Sequence, residues 1–420
     1  MLQRNNNNFA SRKGAALKIL VHDYAGHPFQ VDLSRELALR GHDVRHAYFH
    51  GDRGPKGRLE RSSSDPTSLS FTGVSLARPY DKASFVRRRF DDVSYGRAVS
   101  KLVLSEKPDI VISGNTPTEA QSAIVKACEK DGPAFVFWVQ DFYSIAVSKL
   151  LRKKLSAFGA AIGVYYSFLE RHQFRSSDAI VVITESFAGI AKKWAGSSDK
   201  VFTIENWGAL NEIVPHAKDN DWARRHGVDK SFNFLYSGTL GLKHNPELLV
   251  ELAKGVRGRA NVVVVSQGVG ASYLERAKHE QAIDNLILLP LQPFSDLSMV
   301  LGASDVAVAT IEPDAGMFSV PSKVQSYLCA GRAVLLAAPS ENLAADVVRN
   351  SGAGLVVEPT DAPGFLKAAL RLLEDDSLRN DSAANGRKFA QSHYDVGRVA
   401  DRFETVFKYA IRAKTARKEI

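Results

Sequence analysis

The sequence predicts an α/β protein of two doubly wound, Rossmann-like halves, each with its own parallel sheet. Short continuous apolar runs recur along the chain, as in strands covered on both faces, and helical patterns separate them. The pattern restarts near residue 200, which indicates a second half. A chain of 420 residues, 45% of them hydrophobic, is long enough to build two cores.

The first half opens with a strand, a loop, a helix and a second strand. Phe29, Leu33 and Leu37 recur at helical spacing, and Gly26 before them would let the chain turn sharply. Such a turn lies at the carboxyl edge of the sheet, where doubly wound folds bind ligands. A GxGxxG fingerprint is absent from it, which argues against an NAD enzyme. Strands of this half are predicted at 17–23, 43–49, 109–113, 134–139 and 179–183.

Asp141 stands in the polar group Gln140-Asp141-Phe142-Tyr143, directly after the strand at 134–139. In a doubly wound sheet this is a catalytic position, so Asp141 is the first candidate for a side chain that faces the reaction centre. The alternative is that Asp141 caps the next helix.

Two basic clusters lie in the same half. One is Arg87-Arg88-Arg89 between two phenylalanines, and the other is the segment 149–175, which holds six Lys or Arg and one Glu beside aromatic residues. A helix of this kind could rest on an anionic membrane surface, or it could be a solvated face packed on its domain. The sequence leaves both interpretations open.

The second half carries glycine-bearing loops after two of its strands. Gly238, Thr239 and Gly241 follow one strand and permit close backbone approach, and Lys243 in the same loop could reach a phosphate. Gly268 opens a helix after another strand and borders a ligand crevice. Strands of this half are predicted at 201–205, 232–237, 261–266, 286–289, 305–310 and 333–337.

The segment 317–336 reads as a loop that leads into a short helix between two strands. Pro321 and Ser322 suit the first helical turn, and Gly331 ends the helix. Unpaired N–H groups and the positive helix dipole suit a phosphate there, and Lys323 adds a cation. An ordinary helix start with a solvated lysine is the alternative.

Lys243 and Lys323 come from different loops of one half and together would neutralise a diphosphate. The 11 His and two Cys show no metal-ligand spacing, so the protein's own cations would stabilise a departing nucleoside diphosphate. We therefore predict group transfer from an activated phosphate donor, with no metal and no cofactor.

The composition limits the binding partners and the cellular location that the sequence allows. The formal charge of +9 suits nucleic acid, an anionic membrane or phosphorylated substrates, but the basic clusters lack a nucleic-acid module. The longest uncharged apolar stretch, 155–169, has 15 residues, short of the about 20 needed to span a bilayer. Cys128 and Cys329 resemble reduced core thiols of a cytosolic protein.

We predict a disordered tail at 1–14, domains at 15–200 and 201–388, and a final helix at 389–420 that crosses back to the first domain.

The motifs, taken in order, resemble the retaining glycosyltransferases with the GT-B fold, the glycosyl transferases group 1 or family 4 type. They are most similar to bacterial exopolysaccharide and colanic-acid-type members. The matching segments span nearly the whole chain: RGHDV at 40–44, WVQDFY at 138–143, LERHQFRSSDAIVVIT at 169–184, ENW at 205–207, YSGTLGLKHN at 236–245, LPLQP at 289–293 and VPSKVQSYLCAGRAVL at 320–335.

The resemblance implies that the first half binds the acceptor, with Gly26 and His27 in an acceptor-side loop. The second half would bind a nucleotide sugar, with Gln292 by the base. Asp141 stands where many relatives carry a cleft-facing His; it would orient the acceptor, stabilise positive charge on the sugar ring or hold the loop. The implied donor-binding residues are Gly238, Thr239, Lys243, Gly268, Gln292, Val320, Pro321, Ser322, Lys323 and Ser326.

The sequence departs from the family at two acidic positions. Many relatives carry two glutamates eight positions apart before the helix glycine, and Phe318 and Ser326 occupy those positions here. Thr239 stands where an Arg is frequent.

We predict transfer of a sugar from a UDP- or GDP-sugar to a saccharide, lipid-linked, in surface polysaccharide, exopolysaccharide or lipopolysaccharide synthesis. The enzyme would act in the cytoplasm at the inner face of the plasma membrane. A nucleotide-sugar 2-epimerase of similar fold, or a non-catalytic sugar-nucleotide-binding partner, is the alternative.

Overall fold

The computed structural model describes residues 15–51, 56–76, 85–129, 131–241, 244–313 and 322–418, apart from the side chains of 85–86, 146, 149–158 and 160. The predicted tail at 1–14 lies outside these ranges, as do Lys243, Phe318, Val320 and Pro321.

The first half is built on a seven-stranded parallel sheet with the order β3-β2-β1-β4-β5-β6-β7. The strands are β1 (Lys18–Asp23), β2 (Asp43–Phe49), β3 (Leu69–Val74), β4 (Ile110–Gly114), β5 (Ala134–Val139), β6 (Ala179–Val182) and β7 (Val201–Thr203). The helices are α1 (Pro28–Leu39), α2 (Phe85–Glu106), α3 (Thr118–Cys128), α4 (Tyr143–Ser176) and α5 (Glu185–Ala195).

The second half is built on a six-stranded parallel sheet with the order β10-β9-β8-β11-β12-β13. The strands are β8 (Asn233–Ser237), β9 (Asn261–Val265), β10 (Leu286–Leu289), β11 (Val306–Thr310), β12 (Ala333–Ala337) and β13 (Gly354–Val357). The helices are α6 (Asp221–Arg225), α7 (Glu247–Gly255), α8 (Val269–Glu280), α9 (Leu297–Gly302), α10 (Ser322–Cys329), α11 (Leu343–Ser351), α12 (Ala362–Glu374), α13 (Asp376–His393) and α14 (Val396–Lys418).

The central strands are apolar on both faces, as the continuous runs predicted. Every residue of β4, β5, β6, β11 and β12 is buried. Helices therefore cover both sides of each sheet. The strand order reverses between β1 and β4 in the first sheet and between β8 and β11 in the second, so each half has a switch point where a crevice opens at the carboxyl ends of two strands.

Three edge strands differ from the prediction. The strand at 201–203, assigned from the sequence to the second half, pairs with β6 in the first sheet. Its apolar residues suit either sheet, and only the pairing decides. β3 and β13 were not predicted, because both are edge strands and mostly half-buried, so their apolar signal is weak.

Helix α4 folds back on itself. The backbone N–H of Tyr143 lies 3.1 Å from the carboxylate of Glu170, whereas a straight helix would separate these residues by about 40 Å. The two arms pack closely where Gly163 meets Ser148: a Cβ at Gly163 would lie 2.5 Å from the Ser148 Oγ. The basic segment 149–154 lies in the part of the chain that connects Ser148 to Gly163.

Helix α14 crosses back onto the first half. Arg40, directly after α1, donates to the Asp401 carboxylate at 2.7 Å and to the Gly397 carbonyl at 2.5 Å. Phe403 lies edge-on to Trp138 of β5, with ring centroids 4.8 Å apart. No helix in the described ranges is long and apolar enough to span a membrane.

Candidate active site

The switch point of the second sheet holds α10 against the strand ends. Pairing between β8 and β11 stops at Leu235 and Ala307. Beyond that point, the buried Tyr327 hydroxyl accepts the N–H of Ser237 at 3.2 Å and donates to the Val308 carbonyl at 3.0 Å. The tyrosine thus fills the gap between the strands and fixes the first turns of α10 at the crevice.

Gly238 and Lys323 meet at this crevice. Gly238 follows β8 with a φ of +123°, and a Cβ there would lie 2.8 Å from the Lys323 Cε. The Lys323 ammonium lies over the Tyr236 ring, 5.1 Å from its centroid. Glycine is therefore required twice at position 238, once by the backbone angle and once by the lysine stem.

The loops after β8 and β9 are joined by hydrogen bonds. Leu240 N–H donates to the Gln267 carbonyl and Gly270 N–H to the Leu240 carbonyl, both at 2.9 Å. Gly268 has a φ of +105°, and a Cβ there would lie 2.9 Å from the Leu240 carbonyl oxygen. The Thr239 carbonyl accepts from the Tyr236 hydroxyl at 3.0 Å. The structure thus brings Gly238, Thr239 and Gly268 together beside Lys323.

The remaining described donor-side residues are less converged. Ser322 is exposed at the start of α10, and Ser326 is half-buried one turn later. The Gln292 carbonyl oxygen accepts from the Trp222 indole at 3.1 Å, and its amide nitrogen donates to the Pro290 carbonyl at 2.8 Å. The Gln292 side chain thus stabilises its own loop, and its place beside a nucleotide base stays a prediction.

The switch point of the first sheet is built from side chains. Asp23 ends β1 fully buried and accepts from the N–H groups of Ala25, at 3.1 Å, and His27. The Asn115 amide also reaches Asp23, at 3.4 Å, and lies 3.2 Å from the His27 Nδ1. Burial alone would raise the pKa of Asp23, but the charge and hydrogen bonds of His27 outweigh it and lower that pKa.

Gly26 gives this loop its shape. Its φ is +72°, its carbonyl accepts from Gly57 N–H at 2.8 Å, and a Cβ would lie 2.8 Å from the Leu59 side chain. The His27 side chain is one-third exposed. In the predicted loop, Asp23 and Asn115 thus lie against the Nδ1 edge of the imidazole.

Asp141 follows β5 as predicted and is exposed. The N-cap of α4 is Phe142, and the first-turn N–H groups are satisfied by Glu170, so Asp141 is not the cap. Glu170 accepts from Tyr143 N–H and Ser144 N–H, each at 3.1 Å, and from the Ser144 hydroxyl at 2.5 Å. Burial raises the pKa of Glu170 to about 7, despite these bonds, and the Asp141 charge adds to the rise.

Asn206 joins the two halves at the cleft. Its side chain exchanges two hydrogen bonds with Gln140, at 2.6 and 3.3 Å, and its carbonyl accepts from Gln325 on α10 at 3.3 Å. Gln140 precedes Asp141, and Gln325 lies two residues after Lys323. Sequence reasoning missed Asn206 and Glu170 as site residues, although both lie in the family segments quoted above.

This arrangement suits an anionic ligand on one side and a hydroxyl-bearing ligand on the other. The second half offers a cation, a helix N-terminus and closely approaching backbone. The first half offers an imidazole and carboxylates. Within the described ranges, no three His, Cys, Asp or Glu side chains converge to hold a metal ion.

Two protein families match the chain, one in each half. Residues 27–207 match the glycosyl transferase 4-like domain, and residues 218–389 match the glycosyl transferases group 1. A curated relative, the probable glycosyltransferase WbjE of Pseudomonas aeruginosa, is 21% identical over 305 residues, which cover 69% of this chain and 72% of the relative.

Solved structures of similar shape cover almost the entire chain. Sucrose-phosphate synthase from Thermosynechococcus elongatus superposes with a TM-score of 0.71 at 14% identity, covering 94% of this chain and 99% of that one. HepE of Anabaena, in complex with UDP-glucose, gives 0.66 at 13% identity, covering 93% and 99%. WaaG, involved in lipopolysaccharide biosynthesis, gives 0.63 at 17% identity, covering 91% and 98%. At these identities the likeness shows the fold.

Proposed function

Because the chain belongs to the glycosyltransferases of the GT-B type, we propose that it moves a sugar from a UDP- or GDP-sugar onto a lipid-linked saccharide. The transfer would retain the anomeric configuration, need no metal ion and serve the synthesis of exopolysaccharide or lipopolysaccharide. The protein would act in the cytoplasm at the inner face of the plasma membrane. Its two cysteines, both buried and free, are compatible with a reducing compartment.

One observation carries the donor side of this proposal. Gly238 leaves room for the Lys323 stem at the switch point of the second sheet, beside the loop that Gly268 shapes. A diphosphate placed there would meet backbone N–H groups and the Lys323 ammonium. Positive charge fixed before the reaction stabilises the leaving nucleoside diphosphate, because nothing has to reorganise as its charge develops.

Two relatives suggest the ligand classes. The HepE structure holds UDP-glucose, and WaaG is described as acting in lipopolysaccharide biosynthesis. We propose that this chain also binds a nucleotide sugar, in the crevice beside Lys323. We place the acceptor saccharide in the opposite crevice, where the His27 side chain is one-third exposed and Asp141 is exposed.

The donor site is tested by titrating UDP, GDP and their sugars into the protein in a calorimeter. Lys323→Ala should weaken binding by about tenfold to a hundredfold, since a hydrogen bond to a charged group contributes roughly 1.5–3 kcal/mol. Lys254→Ala is the matched control, because Lys254 is an exposed cation of the same half on α7. Equal binding by both variants, or no binding by the wild type, would refute the donor proposal.

The stereochemical claim needs a separate measurement. The anomeric configuration of the first-formed product, read by NMR before it can equilibrate, should match that of the donor sugar. An inverted product would leave the donor site standing and overturn the retaining mode.

Ser326 favours a second candidate, a sugar-nucleotide-binding partner without catalysis. It occupies a position where many relatives carry a glutamate, and it lies one turn after Lys323 on α10. A partner of this kind would bind the nucleotide yet leave the donor intact over long incubation. Slow donor hydrolysis by the pure protein, increased in Ser326→Glu, would decide for the enzyme.

A further inference from the structure

Helices α2 and α4 expose large apolar side chains on the outside of the first half. Phe168 is 70% exposed, Val164 66% and Phe90 63%. Single exposed apolar residues are ordinary, but a group of them marks an interaction surface. Phe90 lies on the first turns of α2, whereas Val164 and Phe168 lie one turn apart on the returning arm of α4.

A direct contact brings the two helices together at this place. The Arg89 guanidinium donates to the Tyr165 hydroxyl at 2.8 Å and lies over its ring, 4.8 Å from the centroid. Arg89 is the neighbour of Phe90, and Tyr165 precedes Phe168 by one turn. The exposed phenylalanines therefore flank one contact and belong to one surface, which we call the α2–α4 face.

The exposed charges of the α2–α4 face have one sign, and Arg89 also lies 3.7 Å from the buried Glu119 carboxylate. Among residues 87–106 and 161–176, those that are exposed include six Lys or Arg and no carboxylate, although the whole chain has 46 Asp and Glu against 55 Lys and Arg. The six are Arg87, Arg89, Arg97, Lys101, Arg171 and Arg175. Glu129, which lies 3.7 Å from His172, borders this face at the end of α3.

We infer that the α2–α4 face docks the protein on an anionic lipid bilayer. Phe90, Val164 and Phe168 enter the boundary between headgroups and acyl chains, and the surrounding cations pair with lipid phosphates. A second copy of the chain is a poor occupant, because each copy would bring the same six cations to the contact. An anionic bilayer matches both the charge and the apolar side chains.

The face lies beside the candidate active site. Glu170, two residues after Phe168, accepts the N–H groups of Tyr143 and Ser144, which directly follow the loop of Asp141. Docking would therefore hold the Asp141 loop close to the headgroups. The use of this position for the reaction rests on the proposed lipid-linked acceptor, whereas the docking itself does not.

Vesicle flotation tests the inference with the full chain. The wild type should float with vesicles of phosphatidylcholine and phosphatidylglycerol and stay below vesicles of phosphatidylcholine alone. The double variant Phe90→Ser/Phe168→Ser should lose about tenfold in bound fraction, because two apolar anchors are removed. Arg97→Glu should also lower binding, and added salt should release the wild type.

Leu39→Ser/Val269→Ser is the matched control, since Leu39 is 63% exposed and Val269 58% exposed away from the face. It should float like the wild type. No flotation of the wild type, equal loss in the control, or a wild-type dimer in solution that Phe90→Ser/Phe168→Ser abolishes would overturn the inference. Calorimetry with UDP and GDP on the same samples separates the two proposals, because Phe90→Ser/Phe168→Ser should bind nucleotide unchanged.

Discussion

The two switch points of the molecule are built from different parts of the chain. In the second half, backbone shapes the crevice: glycines at 238 and 268 have left-handed angles, and the loops that carry them are joined by main-chain hydrogen bonds. In the first half, side chains shape it, with the buried Asp23 between His27 and Asn115. Both crevices lie where the strand order reverses.

The difference teaches how one fold can combine a constant and a variable ligand. Backbone groups keep their positions whatever side chains surround them, which suits the diphosphate that UDP- and GDP-sugars share. Side-chain networks change with single substitutions, which suits an acceptor that differs between proteins. We therefore expect backbone changes to affect the donor and side-chain changes to affect the acceptor.

Gly238→Ala should give the largest effect. The backbone at residue 238 has a φ of +123°, which alanine rarely adopts, and a Cβ there would displace the Lys323 stem. We therefore expect UDP- or GDP-sugar affinity to fall by about a hundredfold, corresponding to roughly 3 kcal/mol of strain and lost contact. Calorimetry measures the loss. Gly258→Ala is the control, since Gly258 has a φ of +75° but nothing within 4 Å of its Cβ position. Equal donor binding by both variants would contradict a backbone-built site.

Glu170→Gln should have an intermediate effect, visible as a change in pH dependence. The folded pKa of Glu170 is about 7, raised from 4.5 mainly by burial. A raised carboxyl pKa contributes stability that is present below the unfolded pKa and lost as pH rises through the folded pKa. Between about pH 5 and pH 8, the wild type should therefore lose on the order of 2 kcal/mol of unfolding free energy relative to the variant.

Urea unfolding at both pH values checks this difference. Burial raises the pKa of Asp32 to about 7, so Asp32 also makes the folded protein less stable as the pH rises. Asp32 is present in both the wild type and Glu170→Gln, so its contribution cancels when their unfolding free energies are subtracted. Asp32→Asn is the control that measures this contribution. A wild-type minus Glu170→Gln difference that does not change with pH would show that Glu170 stays ionised when folded.

His27→Ala should give the smallest effect and one confined to the acceptor. Loss of one imidazole hydrogen bond should lower kcat/KM for the saccharide by threefold to tenfold, with donor affinity unchanged. Asp23→Asn should have the same sign, because Asp23 orients the imidazole. If His27→Ala instead weakened donor binding, the division between the two crevices would be wrong.

Much of the candidate site could be located at strand ends from the sequence, because chain position alone indicates where a strand ends. Asp141, Gly238 and Gly268 each follow a buried apolar run, and the carboxyl ends of such runs meet at one sheet edge. The sequence did not predict Asn206 and Glu170 as site residues, because their roles depend on partners 66 and 26 residues away in the chain. No local pattern records such a partner.

The sequence by itself determined the α/β class, most of the central strands and the identity of the candidate groups, because apolar periodicity and glycine placement are local properties. Tertiary structure alone decided that the strand at 201–203 joins the first sheet and that α4 folds back so that Glu170 holds the loop beside Asp141. It also decided that Gly238 meets Lys323. These contacts join residues distant in sequence, and the packing of the two sheets decides them.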